Sequence, residues 1–181
     1  RIAEKIRMLR DHGQKRKHKH ILIGYNYRME QLQAAFLRVK LKRLNQWIQA
    51  RRKHAMLYQQ LLGDLEPFAR VPKEPPSFRS NYYVYAIQCR RRSQLVSYLA
   101  SHGIESQIHY PTSIHLQKAY QHLGYKKGDF PVAEKLAKET LSLPMYSELA
   151  ESQIRYVADA IHAFYKSKLY DERTFRHNSR V

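Results

Sequence analysis

Ten histidines offer the first candidates for chemistry, and their neighbours separate them. His18 and His20 have metal-ligand spacing, but Lys15, Arg16, Lys17 and Lys19 surround them and would repel a divalent cation. No metal site is expected. His109, in Ile-His-Tyr-Pro, and His115, in Ser-Ile-His-Leu, follow the end of an expected strand. Ligands of open α/β sheets bind at such ends. A histidine at a tight turn can equally serve by bonding the backbone. Asn26 and Arg28 form the other candidate pair, between Gly24 and the start of a long helical pattern. An amide and a guanidinium there can both donate to an oxyanion, and a helix N-terminus adds a favourable field. The alternative is that Asn26 caps a turn while Arg28 pairs with a carboxylate of the helix. The chain has no glycine-rich phosphate loop, no nucleophile elbow and no helical zinc motif. Cys89 is its one cysteine, which excludes an intramolecular disulfide.

The elements that would position these residues follow from periodicity. Ile2, Ile6 and Leu9 predict an amphipathic helix over residues 1–11, with Gly13 in a left-handed closing position. The stretch from Gln14 to His20 reads as an extended basic loop. One long helix is expected from about Glu30 to Leu62, carrying a stripe of Leu37, Leu41, Leu44 and Ile48. Prolines 67, 72, 75 and 76 mark a loop. Beyond it come a strand at Tyr82–Ile87, a helix capped by Ser93, and a strand from Ile104 to Tyr110. A helix opened by Asp129 and Pro131, a brief strand at Leu141–Pro144, and a helix from about Ala150 to Lys166 complete the pattern. The division is then residues 1–62 helical, 63–79 a proline-rich loop, 80–166 a small α/β unit, and 167–181 a polar tail.

Length and composition bound the class. A chain of 181 residues buries roughly 70% of its unfolded surface on folding, enough for a core without cross-links. Hydrophobic residues at 43% and charged residues at 27% are those of a globular chain. No apolar run reaches the ~20 residues of a membrane helix. With no signal peptide visible, a cytoplasmic location is expected. The net charge is +18, and 13 of that surplus lies in residues 1–53. Such a half suits an anionic partner, so a basic nucleic-acid-binding module using residues 1–53 is the alternative function. No nucleic-acid-reading motif accompanies it. A helical pattern already running at Arg1, with no capping residue, leads to the expectation that the chain is part of a longer protein.

A family resemblance enters at the Asn26 segment. The run from Gly24 to Ala35 resembles the G-x-N-x-R-hydrophobic-x-x-x-Q-A-A stretch of the DegT/DnrJ/StrS aminotransferases. These are pyridoxal-phosphate-dependent sugar aminotransferases of fold type I, the aspartate-aminotransferase-like class. Leu9-Arg10-Asp11-His12-Gly13 resembles the family's L-R-x-H-G, and Tyr82–Ile87 its aromatic strand, with Tyr83 where histidine is frequent. Gly103-Ile104 through His109-Tyr110-Pro111 resembles G-I-x-x-x-x-H-Y-P. Gly128–Glu134 resembles G-x-x-P-x-A-E, and Leu141–Tyr146 resembles L-S-L-P-M-Y. The resemblance implies the C-terminal part of that fold: helices from the end of the large domain plus a small α/β domain with a short sheet. It implies an enzyme of polysaccharide or nucleotide-sugar pathways that moves an amino group from an amino acid, usually glutamate, to a keto sugar on a nucleotide diphosphate.

The same resemblance implies a homodimer in which Asn26 reaches the cofactor phosphate of the neighbouring subunit and Arg28 supports it. His109, Tyr110 and His115 are then substrate candidates. The family's Schiff-base lysine lies in Ser-Phe-x-x-x-Lys. Here Ser77-Phe78 is followed by Arg79-Ser80-Asn81-Tyr82, with no lysine in place. No catalytic residue is therefore expected in this chain, pyridoxal phosphate should be held mainly by an N-terminal half, and the chain alone should be inactive.

Overall fold

The computed structural model describes residues 1–178, in two compact units that divide between Asn45 and Gln46. In the first, α1 (Ile2–Arg10) ends as its sequence predicts: Gly13 adopts φ +70° and donates from its amide to Met8 O at 2.8 Å. The following basic stretch is not a loose loop. It forms an antiparallel hairpin of β1 (Gln14–Arg16) and β2 (Lys19–His20). Side-chain tethers offset the repulsion of its lysines. Gln14 Nε2 donates to Asp11 Oδ2 at 2.7 Å, the His18 amide donates to Gln14 Oε1, and His20 Nδ1 donates to His12 O.

The long helix expected from Glu30 to Leu62 is two helices, α2 (Gln31–Leu41) and α3 (Leu44–Leu62), with a turn at Lys42–Arg43. Neither glycine nor proline stands at the break, and three of four residues from Lys40 to Arg43 are cationic. Nothing on α2 is buried: Leu32, Phe36, Leu37, Val39 and Leu41 are all exposed.

The second unit is built around an antiparallel sheet in the order β3 (Ala69–Arg70), β4 (Tyr85–Cys89), β5 (Thr140–Leu143). The β4 strand begins three residues later than its aromatic run suggests, and it alternates. Tyr85, Ile87 and Cys89 are buried while Ala86 and Gln88 are half-buried. Tyr85 pairs with Leu143 and Ile87 with Leu141, so one face of the sheet is continuously apolar. Against it pack Tyr58 and Leu62 of α3, Leu95 and Leu99 of α4 (Arg92–Ser101), and Ile154, Ile161 and Phe164 of α6 (Glu151–Asn178). Full burial of each large side chain contributes about 1.5–3 kcal/mol.

Four element details differ from expectation. The helix α4 starts one residue before Ser93, which lies in its first turn rather than at its cap. Ile104–Tyr110 is not a full strand; it touches β5 through a single bridge between Gln107 and Ser142. The last helix continues to Asn178, through most of the expected polar tail, and residues 179–181 of that tail lie outside the described residues. The α5 helix (Pro131–Glu139) has Pro131 at its first position, as predicted, while Asp129 instead accepts from the Lys126 amide. No described helix is long and apolar enough to cross a membrane.

The loop from Pro72 to Tyr82 is strapped to α3. Arg52 makes two 2.8 Å bonds to Glu74, donates to Ser80 O at 2.6 Å, and lies over the Tyr82 ring. Glu74 also accepts from the Ser80 amide. The Arg52 guanidinium holds the Glu74 carboxyl below the usual carboxylate range. This strap fixes where the chain enters β4, and so where Tyr83 and Val84 stand.

Candidate functional site

The first candidate is the segment carrying Asn26. It runs back along the end of α1, meeting it at one antiparallel bridge between Asp11 and Asn26. Tyr25 donates to Leu9 O at 2.6 Å, Tyr27 donates to Arg10 O at 2.8 Å, and His12 donates to Tyr25 O at 2.9 Å. Gly13 and Gly24 make the approach possible. A Cβ on Gly24 would lie 2.1 Å from Gly13 N, and one on Gly13 would lie 1.7 Å from Leu22 O. Tyr25 and Tyr27 stack with ring centroids 5.1 Å apart. Strand alternation therefore sends Asn26, between them, to the opposite side. Its side chain is exposed and makes no hydrogen bond among the described residues. Arg28 Nη1 lies 3.2 Å from Asp11 Oδ1. Its carboxylate partner is thus at the end of α1, not on the following helix. The result is a pre-positioned, unsatisfied amide beside an anchored guanidinium, which is donor chemistry for an oxyanion.

The second candidate is an open cleft of about 550 Å³ in the α/β unit. One wall is the Gly103–Gln107 segment, another is Ser142–Tyr146, and Tyr83, Tyr146 and Tyr156 contribute aromatic surface. None of the residues that line it is lysine or arginine, in a chain that has 33 of them, and Glu105 is its one carboxylate. His109 lines the cleft with Nδ1 2.9 Å from Ser142 Oγ. Ser106 Oγ, on the same wall, is shielded from solvent and has no partner among the described residues. Such a volume suits a small organic ligand, and the lining suits an uncharged, hydroxyl-bearing one.

Tyr110 is exposed, its ring edge-on to that of His109 at 5.8 Å, and is not part of the cleft wall. His115 is elsewhere. Its side chain is 8% exposed, Nε2 lies 3.1 Å from Glu134 Oε1, and its ring packs on Phe130 at 4.8 Å. The Gly128 amide also donates to Glu134 at 2.6 Å, and that bond, with His115, holds the Glu134 carboxyl below its ordinary range. His115 thus ties the Gly128–Phe130 turn to α5 and presents no open face to the His109 cleft. Ser142 and Ser106 were not singled out from the sequence. The signal for Ser142 was a lone hydroxyl inside the apolar Leu-Ser-Leu-Pro run. Ser106 carried none.

Residues 1–162 match the DegT/DnrJ/EryC1/StrS aminotransferase family. A pleiotropic regulatory protein of Geobacillus stearothermophilus is 44% identical over 169 residues, which cover 91% of this chain and 45% of that protein. The dTDP-3-amino-3,4,6-trideoxy-alpha-D-glucose transaminase of Streptomyces venezuelae is 35% identical over 88% of this chain and 42% of its own length. The solved structure of S. venezuelae DesV superposes with a TM-score of 0.85 at 34% identity, over 90% of this chain and 44% of that one. The chain therefore spans less than half the length of these relatives. Its α/β fold is theirs over that span, and the chain belongs to the DegT/DnrJ/EryC1/StrS aminotransferase family.

Proposed function

We propose that this chain acts within a pyridoxal-phosphate-dependent aminotransferase that moves an amino group from an amino acid, glutamate, to a keto sugar on a nucleotide diphosphate. Similarity to the S. venezuelae transaminase supports the substrate class. The observation that carries the reading is the Asn26 amide: exposed, unpaired, and held by three backbone hydrogen bonds around it. An amide donor of this kind fits a phosphate oxygen. When bound, pyridoxal phosphate supplies the electron sink for amino transfer. Asn26 donates to its phosphate across a dimer interface, and Arg28, anchored on Asp11, keeps the segment in place. His109 faces the sugar, with Tyr110, exposed beside the His109 ring, as a second contact. The remaining cofactor contacts, the Schiff-base lysine included, belong to an N-terminal half.

A chimaera tests this, with the chain replacing the matching part of the S. venezuelae transaminase. Amino transfer from glutamate to a dTDP-linked keto sugar is expected. A hydrogen bond to a charged acceptor contributes roughly 1.5–3 kcal/mol. Asn26→Ala should therefore weaken pyridoxal phosphate binding about ten- to a hundredfold, with Asn26→Asp worse because it sets a carboxylate against a dianion. Unchanged cofactor affinity in Asn26→Ala would remove this residue from the site.

A further inference from the structure

Gln107 and Ser142 exchange both backbone hydrogen bonds, at 3.1 and 2.8 Å, which fixes the register of the His109 segment on β5 at one point. Two residues further on, His109 meets the Ser142 side chain. Ser142 is 5% exposed, and His109 Nδ1 is the sole partner of its hydroxyl among the described residues. The other ring nitrogen, Nε2, has no partner among the described residues, and the ring lines the cleft. Two arrangements are possible for this pair. If Nδ1–H donates to Oγ, the buried hydroxyl proton has no acceptor. If the hydroxyl donates to Nδ1, that proton is satisfied, and the neutral ring must carry its own proton on Nε2. Leaving a buried hydroxyl proton without an acceptor is the costlier state, which favours the second arrangement.

We propose that Ser142 is a positioning residue: its hydroxyl donates to His109 Nδ1, fixes the Nε2–H tautomer, and so makes His109 a hydrogen-bond donor into a cleft without cationic side chains. The matching ligand group is an uncharged acceptor, a hydroxyl or carbonyl oxygen of a sugar ring rather than a phosphate. The identity of that ligand rests on the aminotransferase reading; the tautomer does not.

The two parts separate in the test. Ring-¹⁵N histidine spectra of the full chain, taken by magic-angle spinning about two pH units above the ordinary histidine value, report each ring nitrogen directly. Loss of one signal pair in His109→Gln assigns it. The expected result is a bare Nδ1 and a protonated Nε2. Ser142→Ala should shift the pair toward a mixture of tautomers, and Ser142→Thr should restore it. A protonated Nδ1 in the parent chain, or spectra unmoved by Ser142→Ala, overturns the proposal whatever the enzyme does. In the chimaera, Ser142→Ala should raise KM for the sugar nucleotide about two- to tenfold with kcat held, the loss of one neutral hydrogen bond. It should add nothing to His109→Ala. An unchanged KM with the tautomer shifted would instead remove His109 from the sugar, leaving its positioning by Ser142 intact.

Discussion

A methyl group at Gly24 would meet the Gly13 amide nitrogen at 2.1 Å and Gly13 Cα at 2.8 Å, both backbone atoms with no rotamer to yield. Gly24→Ala should therefore separate the Asn26 segment from the end of α1. Overpacking costs typically about 1–3 kcal/mol. Faster hydrogen exchange at the Tyr25 and Tyr27 amides is the expected sign, with the melt of the α/β unit unchanged; normal protection of both amides would refute it. The left-handed Gly13 was readable because local chain chemistry decides it, whereas Asn26 was given its phosphate role by the family resemblance and not by its own neighbours. The role of His115 was not readable. Its partner Glu134 stands 19 residues away, and only the folded turn around Gly128 brings the two within 3.1 Å.

The elements of the α/β unit carry ionisable groups in places that favour their neutral forms. Burial pushes the Cys89 thiol up to about 12 from an ordinary value of 9.0, and it raises the Tyr58, Tyr85 and Tyr165 hydroxyls above 10.0. In the unfolded chain these groups release protons that the folded chain retains. Their contribution is complete below pH 9 and is lost as pH rises, through the thiol first and the phenols next. Each group costs about 1.4 kcal/mol per pH unit while only the unfolded chain titrates. Urea midpoints should thus fall steadily above pH 9, and Cys89→Ala should flatten the first part of that fall. Midpoints constant to pH 11 would contradict the burial of these groups. Element types were largely legible in the sequence, because the periods of Leu95–Leu99 and Ile154–Ile161 are set by one buried face. Element limits were less so. Tyr82 and Tyr83 are strand formers by type, yet the Arg52–Glu74 strap holds the chain there as a loop, and a salt bridge 22 residues long in sequence leaves no local trace.

At the scale of the molecule, apolar surface and charge pull in opposite directions. The first unit exposes Ile2 and Ile6 on α1 and the whole apolar face of α2, while carrying most of the net charge of +18. Patches of this kind drive association, and salt screens the repulsion that resists it. Sedimentation of the chain alone should show self-association that grows with concentration and with ionic strength. Replacing Phe36 and Leu41 with glutamate should suppress it. A concentration-independent monomer at high salt would count against these faces being adhesive. The paired glycines carry a different consequence. They close a ring in which Gly13 and Gly24 touch while ten residues loop out between them. The span from Lys15 to Lys19 can change in length, charge or sequence without moving Asn26, provided Gln14, Ile21 and Leu22 keep their bonds to Asp11 and Gly13. The hairpin is thus an interchangeable cassette: a swapped loop of other composition should graft between Gln14 and His20, altering what the protein meets at that edge while leaving the Asn26 segment in place.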